Sequence, residues 1–153
     1  MKQKKQQQIT PENYIKNFAR SLPIDKCYIN ENWQEFGMAS IIITRKHKTE
    51  KYTIGIYLVD TFALGTKDSF YKFHIDKSEV DEIVEKANEA KMIETDYVLV
   101  HNIIYGANAF AEEHDFKTCK DFNISQYILE EDTEDIEFID IEFGKDGEPF
   151  VIF

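Results

Sequence analysis

The chain has 153 residues, of which 42% are hydrophobic and 14% aromatic, and its formal net charge is −11. This length and apolar content predict a folded globular protein with its own core and argue against a disordered chain. The negative charge disfavours a broad electrostatic interaction with nucleic acid, and no apolar run approaches the ~18 residues of a transmembrane helix.

The first half of the chain predicts one helix and a β-hairpin. Residues 1–9 form a Lys/Gln tail that we expect to be disordered, and residues 10–153 are expected to form a single domain. Thr10-Pro11 is a typical helix start, and Leu22-Pro23 ends that helix. A short strand over 26–30 precedes an unbroken apolar run over 38–44, which is typical of a strand buried on both faces. After the basic loop 45–51, residues 52–59 complete the hairpin.

The second half predicts mainly helices. Residues 71–75 can form a short strand, and Ser78 begins a helix. Residues from Tyr97 to about His114 are apolar nearly all round, which predicts a central buried helix. Thr118 begins another helix through Leu129, and a turn at 144–147 leads into a terminal hairpin closed by 149–153. The sequence therefore predicts an α+β fold: an antiparallel sheet built on a central hairpin (about 38–60), packed by three to four helices, with a C-terminal β-hairpin.

Charge is unevenly placed along the chain. Residues 130–148, the acidic segment, contain Lys145 and ten acids: Glu130, Glu131, Asp132, Glu134, Asp135, Glu137, Asp140, Glu142, Asp146 and Glu148. Basic residues collect near the N-terminus and in the loop 45–51, the basic tip. Both surfaces could bind protein partners, and the alternative is that both are simply solvated.

The first candidate site is the turn that follows the hairpin, with Asp60, Lys67 and Asp68 around Gly65. Mg²⁺ needs only one or two protein carboxylates, so this turn, with Asp121 or Glu112 nearby, could support a metal-dependent nuclease or phosphotransferase. The alternative is structural: Asp60 caps the turn, Gly65 supplies a positive φ, and Lys67 pairs with Asp68 or stabilises the turn.

The second candidate site is the polar face of the long helix. Its residues are His101, Asn102, Tyr105, Asn108 and Glu112. Polar groups on an otherwise apolar helix must find partners, which could be a ligand, the Asp60–Asp68 turn, or other structural groups. Gly106 predicts close helix packing.

Other familiar catalytic patterns are not found in the sequence. Cys27 and Cys119 are expected to be free thiols, and a helix start after Cys119 would stabilise its thiolate. The four histidines (His47, His74, His101 and His114) have no zinc spacing. The basic tip lacks the interleaved aromatic residues of a single-strand binder.

Two segments of the chain resemble a family of uncharacterised bacterial domains. The first has the form VDxxxLGxKDxF, from Val59-Asp60 to Phe70, and the second has the form IYGAxxFA…KDF, from Ile104 to Phe122. With the preceding strand they cover roughly residues 19–130. The resemblance implies a bacterial, cytosolic origin and brings no established activity; the positions it marks are Asp60, Gly65, Lys67, Asp68 and Asp121.

This chain departs from the family's pattern in the second motif. The family commonly has Gly and then Pro-His where this chain has Asp115, Thr118 and Cys119. An activity that depends on that histidine is therefore not expected here.

The leading prediction is a small acidic cytoplasmic protein that binds another protein without catalysis, needs no cofactor and has no contact with membrane or nucleic acid. The alternative is a metal-dependent nuclease or phosphodiesterase that uses Mg²⁺ and the carboxylates of Asp60, Asp68 and Asp121. A third reading is an acidic mimic of nucleic acid based on the acidic segment alone.

Overall fold

The computed structural model describes residues 9–87 and 91–151. Almost all of the predicted tail, residues 1–8, lies outside the described residues, as do residues 88–90 and 152–153. Within the described part of the chain, no helix has both the length and the apolar character to cross a membrane.

The described residues form an α+β fold, as predicted. One antiparallel sheet has the strand order β4-β3-β2-β1-β5, with strands β1 (Ile24–Asn30), β2 (Met38–Lys46), β3 (Tyr52–Asp60), β4 (Gly65–Ile75) and β5 (Met92–Thr95). The α-helices are α1 (Pro11–Phe18), α2 (Trp33–Phe36), α3 (Lys77–Lys86), α4 (Tyr97–Glu113) and α5 (Phe122–Ser125). Short 3₁₀ turns over Ala19–Ser21 and Gln126–Ile128 follow α1 and α5.

The central hairpin is confirmed, with β2 and β3 paired from Met38–Asp60 to Lys46–Tyr52. Successive residues of β2 face opposite sides of the sheet, and Ile41, Ile42 and Ile43 are all at most 1% exposed. The apolar run in the sequence therefore reflects burial on both faces. On one face α1, α4 and α5 form the main core, and on the other α3 covers a smaller cluster around Ile42 and Ile54.

Local signals predicted the starts of α1, α3 and α4 to within a residue or two. The Thr10 hydroxyl accepts a hydrogen bond from the Asn13 backbone N–H, and Pro11 occupies the first position of α1. The long central helix spans Tyr97–Glu113, close to the predicted 97–114, although its N-cap is Asp96. The start of α1 agrees because a cap acts over only three or four residues.

Two predictions for the later elements were wrong, and one strand was not predicted. Strand β4 begins at Gly65, so Lys67 and Asp68 lie in a strand and not in a turn. The predicted helix from Thr118 to Leu129 is reduced to α5 and a 3₁₀ turn. The short strand β5 was not predicted, because four residues at one edge give too little pattern.

The predicted C-terminal hairpin is not formed by the residues described. Between residues 136 and 151 there is a single bridge, Lys145 to Glu148, and no strand; residues 152 and 153 lie outside the described residues. Ile141 and Phe143 instead pack against the main core. A strand-like pattern arises in any extended chain that lies on an apolar surface.

Candidate functional site

The turn after β3 is built around the Asp60 carboxylate. Asp60 is 8% exposed, and its Oδ1 accepts hydrogen bonds from the backbone N–H groups of Phe62 at 3.0 Å and Ala63 at 3.1 Å. Gly65 closes the turn with φ +66°, a conformation that glycine adopts without strain. This arrangement corresponds to the structural alternative, in which Asp60 holds the turn.

Helix α4 clamps the same turn through Asn108. The Asn108 Oδ1 accepts the Thr66 backbone N–H at 2.8 Å, and a Cβ on Gly65 would lie 2.8 Å from that oxygen. Both Thr66 and Asn108 are buried. The turn after β3 and the polar face of α4, the two candidate sites, are therefore in contact. The side chain of Asn108 bonds to the protein's own backbone.

The other candidates for catalysis are engaged locally or face solvent. The Asp68 Oδ1 accepts the backbone N–H of its neighbour Ser69 at 3.0 Å. Lys67, Glu112 and Asp121 are exposed. Across residues 9–87 and 91–151, no three His, Cys, Asp or Glu side chains are grouped as a metal site would require. The nuclease hypothesis remains a prediction without support from this geometry.

The side-chain amide of Asn102, on α4, forms hydrogen bonds with the backbone of the acidic segment. Its Nδ2 donates to the Glu137 carbonyl at 2.9 Å and to the Val98 carbonyl at 2.8 Å, and its Oδ1 accepts the Ile139 N–H at 3.0 Å. Both ends of the amide are used, which explains a polar residue at this position.

His101 connects α4 to the start of the acidic segment. The Tyr97 hydroxyl accepts the Glu130 backbone N–H at 2.7 Å and lies 2.8 Å from His101 Nδ1, while His101 Nε2 lies 3.2 Å from Asp132 Oδ1. In neutral His101, Tyr97 donates to Nδ1 and the Nε2 proton is donated to Asp132. Burial lowers the pKa of His101, and the carboxylate of Asp132 opposes that shift.

Two arginines hold the same end of the acidic segment. Arg45 is 1% exposed, and its guanidinium donates to the Ile128 carbonyl at 2.6 Å, to the Leu22 carbonyl, and to Glu130 Oε1 at 3.0 Å. Arg20 donates to the Leu129 carbonyl and pairs with Glu131 at 3.2 Å. Sequence reasoning placed Arg45 in the basic tip, but the carbonyls of distant segments draw it into the core.

The acidic segment crosses α4 as an irregular chain with its carboxylates outward. Nine of its ten acids are exposed, and Glu130 is half-buried. Phe143 packs on Gly106, where an added Cβ would lie 2.6 Å from the ring, so the close packing predicted at Gly106 is with this segment. The Gly144 N–H donates to the Thr61 carbonyl at 2.9 Å. Phe138, between these attachments, is 80% exposed.

The basic tip presents less unpaired positive charge than the sequence indicated. Lys46 pairs with Glu50 at 3.1 Å, Lys51 pairs with Asp76, and His47 is 9% exposed with its Nε2 2.7 Å from the Thr53 hydroxyl. Burial lowers the pKa of His47, and the neighbouring His74 adds to the shift. Most of the positive charge in this loop is therefore neutralised within the protein.

The two cysteines are free, as expected. Burial raises the pKa of Cys27 to about 12 and also raises the pKa of Cys119. The prediction of a stabilised thiolate at Cys119 was wrong, because α5 has only four residues and desolvation outweighs the backbone hydrogen bonds at this thiol.

Comparison with protein-family models, with curated proteins and with solved structures found no significant match to this chain.

Proposed function

We propose that this protein is a non-catalytic binding module whose acidic segment contacts a basic surface of another protein. One observation carries the proposal: the acidic segment has nine exposed acidic residues and, among them in the sequence, an aromatic side chain that is 80% exposed, and the segment is bonded to the core on both sides of that side chain. Glu131 pairs with Arg20 and Asp132 with His101. Within the described residues the other seven acids form no ion pair with the protein itself.

The attachments of the segment make it suited to binding. Asn102, His101 and Arg45 hold its first half, and the Gly144 N–H bond to Thr61 holds its second half. A segment that is ordered before binding loses less conformational entropy when a partner docks. The surrounding carboxylates would guide a basic partner by long-range attraction and disfavour acidic ones.

Phe138 adds an apolar contact to the otherwise charged surface of the acidic segment. Binding energy in protein interfaces concentrates in a few central, mostly aromatic side chains, and polar residues around them exclude water. Phe138 lies between Glu137 and Asp140 in the sequence and has little contact with the protein itself. We therefore assign it as the central contact of the proposed surface.

The polar residues predicted as candidate catalytic or ligand-binding residues support a binding role indirectly. Asp60, His101, Asn102 and Asn108 each bond to this protein's own turn or acidic segment. These bonds account for the presence of those residue types without a substrate.

Photo-crosslinking in the native host tests the proposal. A photoreactive phenylalanine analogue at position 138 should capture a protein with a basic surface. Removing four charges beside it should lower the crosslinked yield about tenfold, since each exposed ion pair contributes about 0.2–1 kcal/mol. The four substitutions are Glu134→Gln, Asp135→Asn, Glu137→Gln and Asp140→Asn.

A matched control removes four acidic charges from α3, on the opposite side of the sheet. These substitutions are Glu79→Gln, Asp81→Asn, Glu82→Gln and Glu85→Gln. The control should leave the crosslinked yield unchanged. Failure to capture any protein, or equal losses in the two quadruple variants, would refute the proposal. Capture of a nucleic-acid-binding protein that nucleic acid displaces would favour the mimicry reading.

A further inference from the structure

Strand β4 forms one edge of the sheet, and part of that edge is open. Its first residues are covered, because the Thr66 N–H bonds to Asn108 and the Thr66 carbonyl accepts the Cys119 N–H. Farther along, the backbone of residues 70–73 makes no hydrogen bond outside the sheet within the described part of the chain. An unpaired edge of this kind is a template for another β-strand.

The open part of the edge borders an apolar cavity of about 340 Å³, lined by Phe70 and Lys72 of β4 and by Asp121 and Ile124 of α5. Phe70 is 52% exposed, because α3 packs over the other end of this face, around Ile54 and Ile75. A large apolar side chain is thus exposed beside unpaired backbone, which natural edge strands generally avoid.

The sequence of the open edge is complementary to itself. Asp68, Phe70 and Lys72 alternate along β4 and so lie on one face of the strand. In an antiparallel pair related by a two-fold axis at Phe70, each Asp68 lies opposite the Lys72 of the second copy, and the two phenylalanines lie side by side. A lysine on an edge strand usually prevents pairing because it repels the lysine of a second copy. In this register Lys72 lies opposite the carboxylate of Asp68 instead.

Neighbouring registers lack this match. A two-fold axis at Asp68 places two carboxylates opposite each other, and an axis at Lys72 places two ammonium groups opposite each other, both of which are destabilising. The charge pattern therefore selects the register centred on Phe70.

We propose that the protein forms a homodimer in which β4 pairs antiparallel with β4 of a second copy, centred on Phe70. The two sheets then form one continuous ten-stranded sheet. The interface is isologous, since the same surface serves both subunits and the two-fold axis closes the assembly. The proposal uses the edge of the sheet and is independent of the acidic segment.

Charge reversal with rescue tests the proposal by sedimentation equilibrium. Wild-type protein should be a dimer with a measurable dissociation constant. Lys72→Glu and Asp68→Lys, each alone, place like charges opposite each other and should raise that constant about tenfold or more. An equimolar mixture of the two variants restores both opposite-charge pairs in a heterodimer and should dimerise as the wild type does.

Lys67→Glu is the matched control, because Lys67 lies at an irregularity of β4 between Thr66 and Asp68, outside the regular stretch 68–72 that the register pairs, and its reversal should leave the dimer intact. Circular dichroism of each variant confirms folding. A wild type that stays monomeric up to millimolar concentration overturns the proposal. So does a dimer indifferent to both reversals, or a mixture of folded variants that stays monomeric. None of these results bears on capture at Phe138.

Discussion

Asn108→Ala removes the side chain by which α4 holds the turn after Asp60. In the folded protein the Thr66 N–H, at a residue that is 0% exposed, donates to Asn108 Oδ1 at 2.8 Å. The alanine variant leaves that N–H buried without an acceptor. Asn108 is itself 6% exposed, so water has little room to replace the lost oxygen.

The expected cost follows from the burial of the donor. An unsatisfied buried N–H costs about 1–3 kcal/mol, and the space vacated beside Gly65 adds to it, so we expect a loss of about 2–3 kcal/mol in the free energy of unfolding. For a domain of this size each kcal/mol lowers the Tm by about 2–4 °C, which gives a decrease of about 4–12 °C. Urea denaturation and thermal unfolding followed by circular dichroism measure both quantities.

Two variants separate the hydrogen bond from other effects. Asn108→Leu fills a similar volume without an acceptor and should still lose about 1–3 kcal/mol, because the Thr66 N–H stays unpaired although little space is vacated. Asn123→Ala makes the same substitution at an exposed residue of α5 and should change the stability by less than about 0.5 kcal/mol. The reasoning is refuted if Asn108→Ala is no more destabilising than Asn123→Ala.

Two further predictions concern the attachment of the acidic segment. Arg45→Met should lower the free energy of unfolding in urea by about 3 kcal/mol or more, because it leaves buried carbonyls without donors; Arg20→Met, at a half-buried arginine, should cost clearly less, and equal costs would contradict this account. The second concerns pH. Burial lowers the pKa of His101 in the folded protein below its ordinary value of 6.5, so below pH 6.5 the unfolded chain binds a proton that the folded chain resists. Wild-type stability should therefore fall from pH 7 to pH 5 more steeply than that of His101→Gln, and equal slopes would show that His101 does not contribute.

The central hairpin and the start of α1 were predictable because their signals are local. The apolar run 38–44 indicated a strand buried on both faces, and Thr10-Pro11 indicated the start of α1. The pattern over 136–143 was misleading for the same reason. Ile139, Ile141 and Phe143 alternate as in a strand, but Asn102 provides the hydrogen bonds of this stretch, so no strand partner is needed.

The candidate sites were harder to predict than the fold. The sequence identified Asp60, His101, Asn102 and Asn108 as polar residues in apolar surroundings, and all four are engaged in the structure. It offered the Asp60–Asp68 turn as one possible partner, which Asn108 does contact, but it did not indicate that His101 and Asn102 bond to the acidic segment. Their partners lie up to 42 residues away in the sequence, and nothing in the local pattern specifies which distant backbone group will lie opposite.

The sequence by itself determined the α+β class, the central hairpin, the long buried helix and the location of the acidic segment, since hydrophobic period and capping act over a few residues. Only the tertiary structure decided how the polar residues are used. Arg45 appeared in the sequence as part of a basic loop, yet its guanidinium bonds to the Ile128 carbonyl, 83 residues away. A buried polar group must be paired wherever the chain places it, and that pairing depends on packing between elements, which no short stretch of sequence encodes.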